Sequence, residues 1–426
     1  MISKKIILDW LVIILEITYS MSILMQVFFI IPGLKPAIAL LLFAFIMHII
    51  RFGFRFNFLS IIAKDSILIL FFLIFVFDIL QSLIFSDFNV IGLAVAQMLN
   101  NMVFLSYLCN IYKENRSLKD IIMPYIGLSM YTVVSVVILA LLIIVGLPWE
   151  VNMLTDNVRV LEEDISGGGT YYFPYFISLA SDYHPIRIFG KLPGITGFFH
   201  EPHIIMFFIT PALLLWFMLK PKKNIIMIMF CVYIFIALNS MSSFNMVCIT
   251  ITVAIQALWM TRDSKNLKYV LVLSLMISIA AYVGYEIMNT VSLEIVSKFD
   301  KGGSNSGSLD YSSNMMKYIV SFDGLLGYGN RPPTIGEYKA GVSAGVLTGV
   351  LDILLLLMIC IRLPKLIFSS SYNKHYLGLS ITYFVMHGMK SNYMLFSYPL
   401  FLYILYILTL STNTKLSGNK NIVETI

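Results

Sequence analysis

The chain has 426 residues, 59% of them apolar and only 12% charged, with a mean hydropathy of +0.86 and a formal net charge of +6. A soluble globular chain carries about a quarter charged residues, so an ordinary soluble enzyme is excluded. The excess of base is no nucleic-acid signal either, because its placement along the chain explains it better.

Repeated apolar runs of roughly 18–25 residues are each long enough to cross a hydrocarbon layer, and they make residues 1–426 one integral membrane domain. Lys4 and Lys5 precede the first run, which resembles a secretory signal. It is long and lacks a small-residue cleavage site, so it is expected to be kept as the first span. A window of about 19 residues places about twelve spans. They lie near 6–31, 34–50, 66–86, 89–111, 120–146, 202–219, 224–239, 243–260, 268–288, 341–361, 376–389 and 393–410. The predicted fold class is all-α, a polytopic helical bundle with two long outer loops at 147–201 and 289–340.

Charge placement orients the bundle. With a cytoplasmic N-terminus, the inner segments hold 19 of the 29 basic residues, two or three at every turn, from Lys4 and Lys5 through Arg51, Lys113, Lys222 and Arg362 to Lys420. The short outer connections hold only Lys35 and Lys390. This is the positive-inside pattern, which puts both termini in the cytoplasm.

Loops longer than about 15 residues tend to be functional or disordered. Both long loops carry flexible runs, Ser166–Thr170 and Gly302–Ser308, and the first adds the aromatic cluster Tyr171–Phe176. Such a cluster stacks on sugar rings or anchors at lipid headgroups, where Tyr gathers. No internal repeat is evident, which argues against a transporter built from two matching halves.

Charged groups within spans cost about 2.5–3.5 kcal/mol each at a helix centre on insertion scales. Asp78 and Asp352 fall inside spans, and either inter-helix pairing or a proton path accounts for these two acids; Asn100 and Asn101 also sit within a span. Asp9, Glu16 and Glu286 lie nearer helix ends and are expected to reach water. Cys109, Cys231, Cys248 and Cys360 have no paired spacing and read as small buried hydrophobes, with neither disulfide nor metal site implied.

The densest run of ionisable, Gly and Pro residues is Arg187 to His203, where the first long loop re-enters an apolar span. Pro202 suits the first helical position, and a carboxylate at Glu201 is favoured by the helix dipole. Those two residues alone also make an ordinary helix cap. His200, His203 and the upstream Arg187 add the groups a reaction needs. No metal or other cofactor is expected, since the loop histidines His184, His200 and His203 lack ligand spacing such as His-Glu-x-x-His.

Three features resemble the bacterial O-antigen and capsular polysaccharide polymerases (Wzy-type), relatives of the O-antigen ligases. An arginine precedes a Gly-Phe-x-x-Glu-Pro motif that opens a span, here Arg187, Gly197, Phe198, Glu201 and Pro202. A Ser-rich segment, Ser240–Asn245, begins a span two helices later. The second loop carries a Gly-x-Gly segment, Leu325–Arg331, before a span with Gly341, Gly345 and Gly349. Asn245 departs from the pattern, in which a small or basic residue often follows the serines.

The resemblance implies a membrane glycosyltransferase on the outer face of the bacterial cytoplasmic membrane, joining undecaprenyl-pyrophosphate-linked oligosaccharides. Its expected partners are those substrates and membrane lipids, with room for a chain-length regulator and a flippase, and no nucleic acid. Arginine binds phosphate oxygens with a planar fork that never loses its charge. Arg187 and Arg331 are the first candidates for the pyrophosphate, then Arg159, Lys191 and Lys339. Glu201 is the candidate base for the attacking hydroxyl, with His200 or His203 as alternatives. A lipid-linked oligosaccharide flippase and an O-antigen ligase remain the competing functions.

Overall fold

The computed structural model describes residues 4–19, 36–84, 88–115, 118–147, 170–186, 192–199, 202–219, 223–240, 243–261, 350–391 and 398–412. These residues form twelve α-helices in two stretches separated by a small sheet. The first six are α1 (Lys4–Tyr19), α2 (Pro36–Phe52), α3 (Phe58–Ile62), α4 (Ser66–Ile84), α5 (Phe88–Asn115) and α6 (Leu118–Val145). After the sheet come α7 (Pro202–Met218), α8 (Lys223–Ser240), α9 (Ser243–Thr261), α10 (Val350–Ile367), α11 (Tyr372–Ser391) and α12 (Tyr398–Thr412).

Eleven of the twelve expected apolar runs carry one of these helices; the ninth, 268–288, and the second long loop, 289–340, lie outside the described residues. Among the described residues, three helices are long and apolar enough to cross a membrane: Ser66–Ile84, Ile91–Glu114 and Leu118–Val145. Five more are apolar but shorter, at Ala37–Phe52, Ile204–Met218, Asn224–Ala237, Cys248–Met260 and Pro399–Ser411.

The outward faces show what solvent the fold expects. On α4 the exposed side chains Ile69, Leu73, Val76, Leu80 and Leu83 recur at alternating steps of four and three, one continuous apolar stripe. On α6 the exposed set Val134, Ile138, Leu141 and Val145 does the same. A water-soluble helix puts polar residues on that face, and contiguous exposed apolar area of this extent marks contact with lipid or protein. Cys231 and Cys360 are exposed on such faces, so the expectation of four buried cysteines is corrected: Cys109 and Cys248 are buried and these two are not.

Two helices organise the packing. In the first half α5 is flanked by α2, α3, α4, α6 and α12; in the second α7 is flanked by α6, α8, α9 and α11. One end of the bundle is fastened by ion pairs. Arg51 at the end of α2 meets Asp9 on α1 (Nε–Oδ1 3.1 Å) and Glu114 on α5 (Nη2–Oε2 2.6 Å), and Tyr107 donates to the same Asp9 oxygen at 2.8 Å. Arg362 reaches Asp65 at 2.7 Å, while the other Asp65 oxygen caps α4 by accepting from Ile67 N at 2.9 Å.

Asp9 and Glu16 are therefore not the water-facing residues expected of them. Both are buried, because α1 turns its carboxylates toward α2 and α5, where Asn100 donates to Glu16 at 2.8 Å.

The described residues are mostly helical, as the sequence implies, and the opposite end adds a small sheet that the all-α expectation did not include. Within the loop 147–201, β1 (Thr170–Phe173), β2 (Ser178–Ile186) and β3 (Leu192–Gly197) form an antiparallel sheet in the order β1-β2-β3. A one-turn 3-10 helix, Pro174–Phe176, joins β1 to β2, and Ile177 takes a positive φ of 46° to re-enter the strand. Register shifts between Leu179 and Ala180 and between Ser181 and Ile186 break the pairing of β2 with β3. A strand so interrupted lacks the period-two alternation by which strands are recognised in sequence.

Candidate functional site at the sheet end

The sheet seats the motif. All six residues of β3, Leu192 to Gly197, are buried, and the strand packs on α6, α7 and α8. Asn239, near the end of α8, donates its amide to Ile195 O at 3.0 Å. Thr196 donates to Leu179 O at 3.3 Å and lies in short hydrogen-bond contact with Phe199 O, while Phe199 N returns a bond to Thr196 O at 3.3 Å.

Gly197 is required on two counts. Its φ is +64°, a left-handed conformation that costs other residues roughly 1–2 kcal/mol. A Cβ built there would also stand 2.7 Å from Thr132 Cγ2 of α6. The next two residues lock the turn, Phe198 stacking on Tyr131 at 5.9 Å and Phe199 against Phe208 at 5.0 Å.

Helix α7 begins three residues later, and Ile204 to Ile209 are at most 2% exposed, so its first turns are enclosed on every side. A helix apolar all round belongs in the centre of a bundle. Pro211 interrupts it and deletes one backbone donor, and neighbouring helices hold the backbone there. Tyr125 of α6 donates to Phe208 O at 2.7 Å, Ser380 of α11 donates to Pro211 O at 2.9 Å, and Thr210 bonds the Tyr233 hydroxyl of α8 at 3.0 Å.

His200 and Glu201 thus occupy the two positions between an anchored turn ending at Phe199 and an anchored helix starting at Pro202. They themselves lie outside the described residues, as do Arg187 and Lys191 of the β2–β3 connection, Arg159, Arg331 and Lys339. The Leu325–Arg331 segment and Gly341 to Gly349 are outside as well. His203 is the second residue of α7, and its side chain is not among those described. The aromatic cluster divides: Phe173 is buried under the sheet, while Tyr175 is 94% exposed.

The Ser240–Asn245 segment spans the end of α8 and the start of α9, with Asn245 wholly buried. Its partner is a residue that sequence reasoning passed over. His387, 1% exposed on α11, places Nε2 2.6 Å from Asn245 Oδ1, and its ring lies 4.8 Å from that of Phe207 on α7. The signal available was a single histidine in the apolar run Tyr383–Gly388.

The acids within the apolar helices lie elsewhere. Asp78 of α4 is fully buried, neither carboxylate oxygen has a hydrogen-bond partner among the described residues, and Asp352 of the adjacent α10 lies within electrostatic reach.

No protein-family model, curated protein or solved structure matches the chain.

Proposed function

We propose that the chain is a polysaccharide polymerase of the Wzy type, acting on the outer face of the bacterial cytoplasmic membrane with both termini in the cytoplasm. The observation that supports it best is the seating of the Gly-Phe-x-x-Glu-Pro motif. Its glycine closes the sheet and its proline opens a helix whose first turns are enclosed on every side. Glu201 stands in sequence directly between these two anchors, and a catalytic group depends on such fixed surroundings for its positioning.

In this reading an acceptor sugar hydroxyl attacks the anomeric carbon of the growing chain. A glycosidic C–O bond forms as the C–O bond to undecaprenyl pyrophosphate breaks, and the hydroxyl proton passes to Glu201, or to His200 or His203. The leaving pyrophosphate is multiply negative and tethered by its lipid. Arg187 and Arg331 neutralise it, with Arg159, Lys191 and Lys339 as further cations, and stabilising charge that develops in the transition state is usually the largest catalytic contribution. No metal takes part.

Purified protein in lipid nanodiscs, given synthetic lipid-linked repeat unit, should produce a ladder of chain lengths on a gel. Unextended repeat units throughout would reject the reading, and so would epitope tags placing residues 187–203 in the cytoplasm.

A second reading, a flippase for the same oligosaccharides, draws on Asp78, a buried acid with no hydrogen-bond partner among the described residues. Gene deletion separates the two. Loss of the polymerase leaves single repeat units on the outer surface, whereas loss of a flippase traps them inside.

A further inference from the structure

We propose that His387 is a positioning residue of the polymerase site, fixing Asn245 at the start of α9 against the early turns of the helix that follows Glu201. This rests on the polymerase reading for the site it serves, but the geometry stands on its own contacts. Three helices from distant parts of the sequence meet at one imidazole. Asn245 comes from the first turn of α9, Phe207 from the second turn of α7, and His387 from the last turns of α11. With Asn245 presenting its carbonyl oxygen at 2.6 Å, Nε2 carries the proton and donates, which sets the ring's orientation.

The pair is fully enclosed, at 0% and 1% exposure for Asn245 and His387. A hydrogen bond in such surroundings is electrostatically stronger than in water, and breaking it leaves a buried polar group unmatched. The neighbouring contacts make the arrangement stiff. Phe207 also stacks on Phe384 one turn along α11, at 4.7 Å, and Asn239, six residues before Asn245, holds β3. The end of α8 is thus tethered through Asn239 to the sheet that ends in the motif glycine, and the start of α9 through Asn245 to α11. The start of α9 is placed through His387.

The test uses full-length protein in nanodiscs and separates the hydrogen bond from the packing. His387→Gln keeps an N–H donor for Asn245, while His387→Phe keeps a ring against Phe207 and loses the donor. Turnover in the ladder assay should fall roughly tenfold to hundredfold in His387→Ala, His387→Phe and Asn245→Ala, as small misplacements of catalytic groups do. The KM for the lipid-linked repeat unit should stay unchanged, and His387→Gln should recover to within about threefold of wild type. The His387→Ala/Asn245→Ala double mutant should be no slower than the slower single, since the two act through one contact.

Full turnover in His387→Phe, or losses that multiply in the double mutant, would overturn the proposal. Amide hydrogen exchange over residues 243–247 reads the positioning without substrate. It should quicken in His387→Ala and remain at the wild-type rate in His387→Gln. If wild-type protein makes no ladder, the polymerase reading fails while the exchange pattern still decides the role of His387. Unchanged exchange in His387→Ala would then end it.

Discussion

The two ends of the bundle hold themselves together by opposite means. At one, charge meets charge: Arg51 bridges Asp9 and Glu114, and Arg362 grips Asp65 beside the start of α4. At the other, the described fastenings are hydrogen bonds without ion pairs, the Asn239 amide on a strand carbonyl, the Thr196 hydroxyl on Leu179 and on its own turn, and Asn245 on His387. These two arginines and three acids are committed to one another rather than to a ligand. The sheet end is held by hydrogen bonds and stacked rings, and the candidate residues of the proposed function, Arg187, Lys191, His200 and Glu201, adjoin its strands in sequence.

The sharpest way to break the comparison is to remove those residues. Arg187→Ala and Glu201→Ala should each abolish chain growth, a loss of at least a hundredfold of the order that deleting one oxyanion-stabilising donor causes. Both variants should reach the membrane in wild-type amounts and melt normally, because neither replacement touches the described fastenings. Ladders of normal length from both variants would remove the assigned site.

Arg51 is the counterpart at the charged end. Its side chain is 6% exposed and that of Asp9 5%, so Arg51→Met strands a buried carboxylate. Breaking one partner of a buried pair costs about 3–5 kcal/mol, and thermal unfolding in detergent should show it. Turnover per folded molecule should be unaltered. Adding Asp9→Leu should restore much of the stability, since replacing both partners removes the unpaired charge. A variant that stays stable but loses turnover would show that the two ends are coupled.

These expectations also mark what could be read in the sequence. The helices of the bundle follow from uninterrupted apolar runs, and the start of α7 from Pro202 after Glu201, because hydrophobic length and a missing N–H act locally. The sheet did not show itself. Its strands pair through backbone bonds with shifted register, and residues such as Ser178 and Thr196 are buried through hydrogen bonds rather than through apolar character. Gly197 could be flagged as part of a motif, but its reason, the methyl of Thr132, comes from a helix 65 residues earlier. His387 was silent for the same cause, since its partner Asn245 is 142 residues away. Glu16 misled because nearness to a helix end says nothing about which neighbour the side chain meets.

Gly197→Ala tests the joint between the sheet and the enclosed helix. The left-handed φ and the 2.7 Å approach to Thr132 Cγ2 should together cost about 2 kcal/mol or more. Turnover should fall with stability, because the motif turn moves with the sheet. Thr132→Ser removes the offending methyl while keeping the hydroxyl that donates to Leu128 O at 3.0 Å. The Gly197→Ala/Thr132→Ser double variant should therefore regain the part of the loss that is steric and keep the part that is conformational. No regain at all would mean the close approach is not what selects glycine.

Tyr175 gives the smallest effect and the finest distinction. At 94% exposure it contributes nothing to the core, and Tyr175→Ala should leave stability within about 0.5 kcal/mol of wild type. If the exposed ring stacks on a sugar of the incoming repeat unit, its loss removes about 0.5–1.5 kcal/mol of contact. The KM for lipid-linked substrate should then rise by roughly twofold to tenfold with turnover unchanged, since such binding is common to ground and transition states. A headgroup anchor behaves otherwise. It would leave KM alone and weaken association of the sheet with the bilayer, readable as loss of fluorophore quenching by headgroup-labelled lipid. Because the substrate is itself anchored in the same leaflet, only the two measurements together tell a sugar platform from a lipid one.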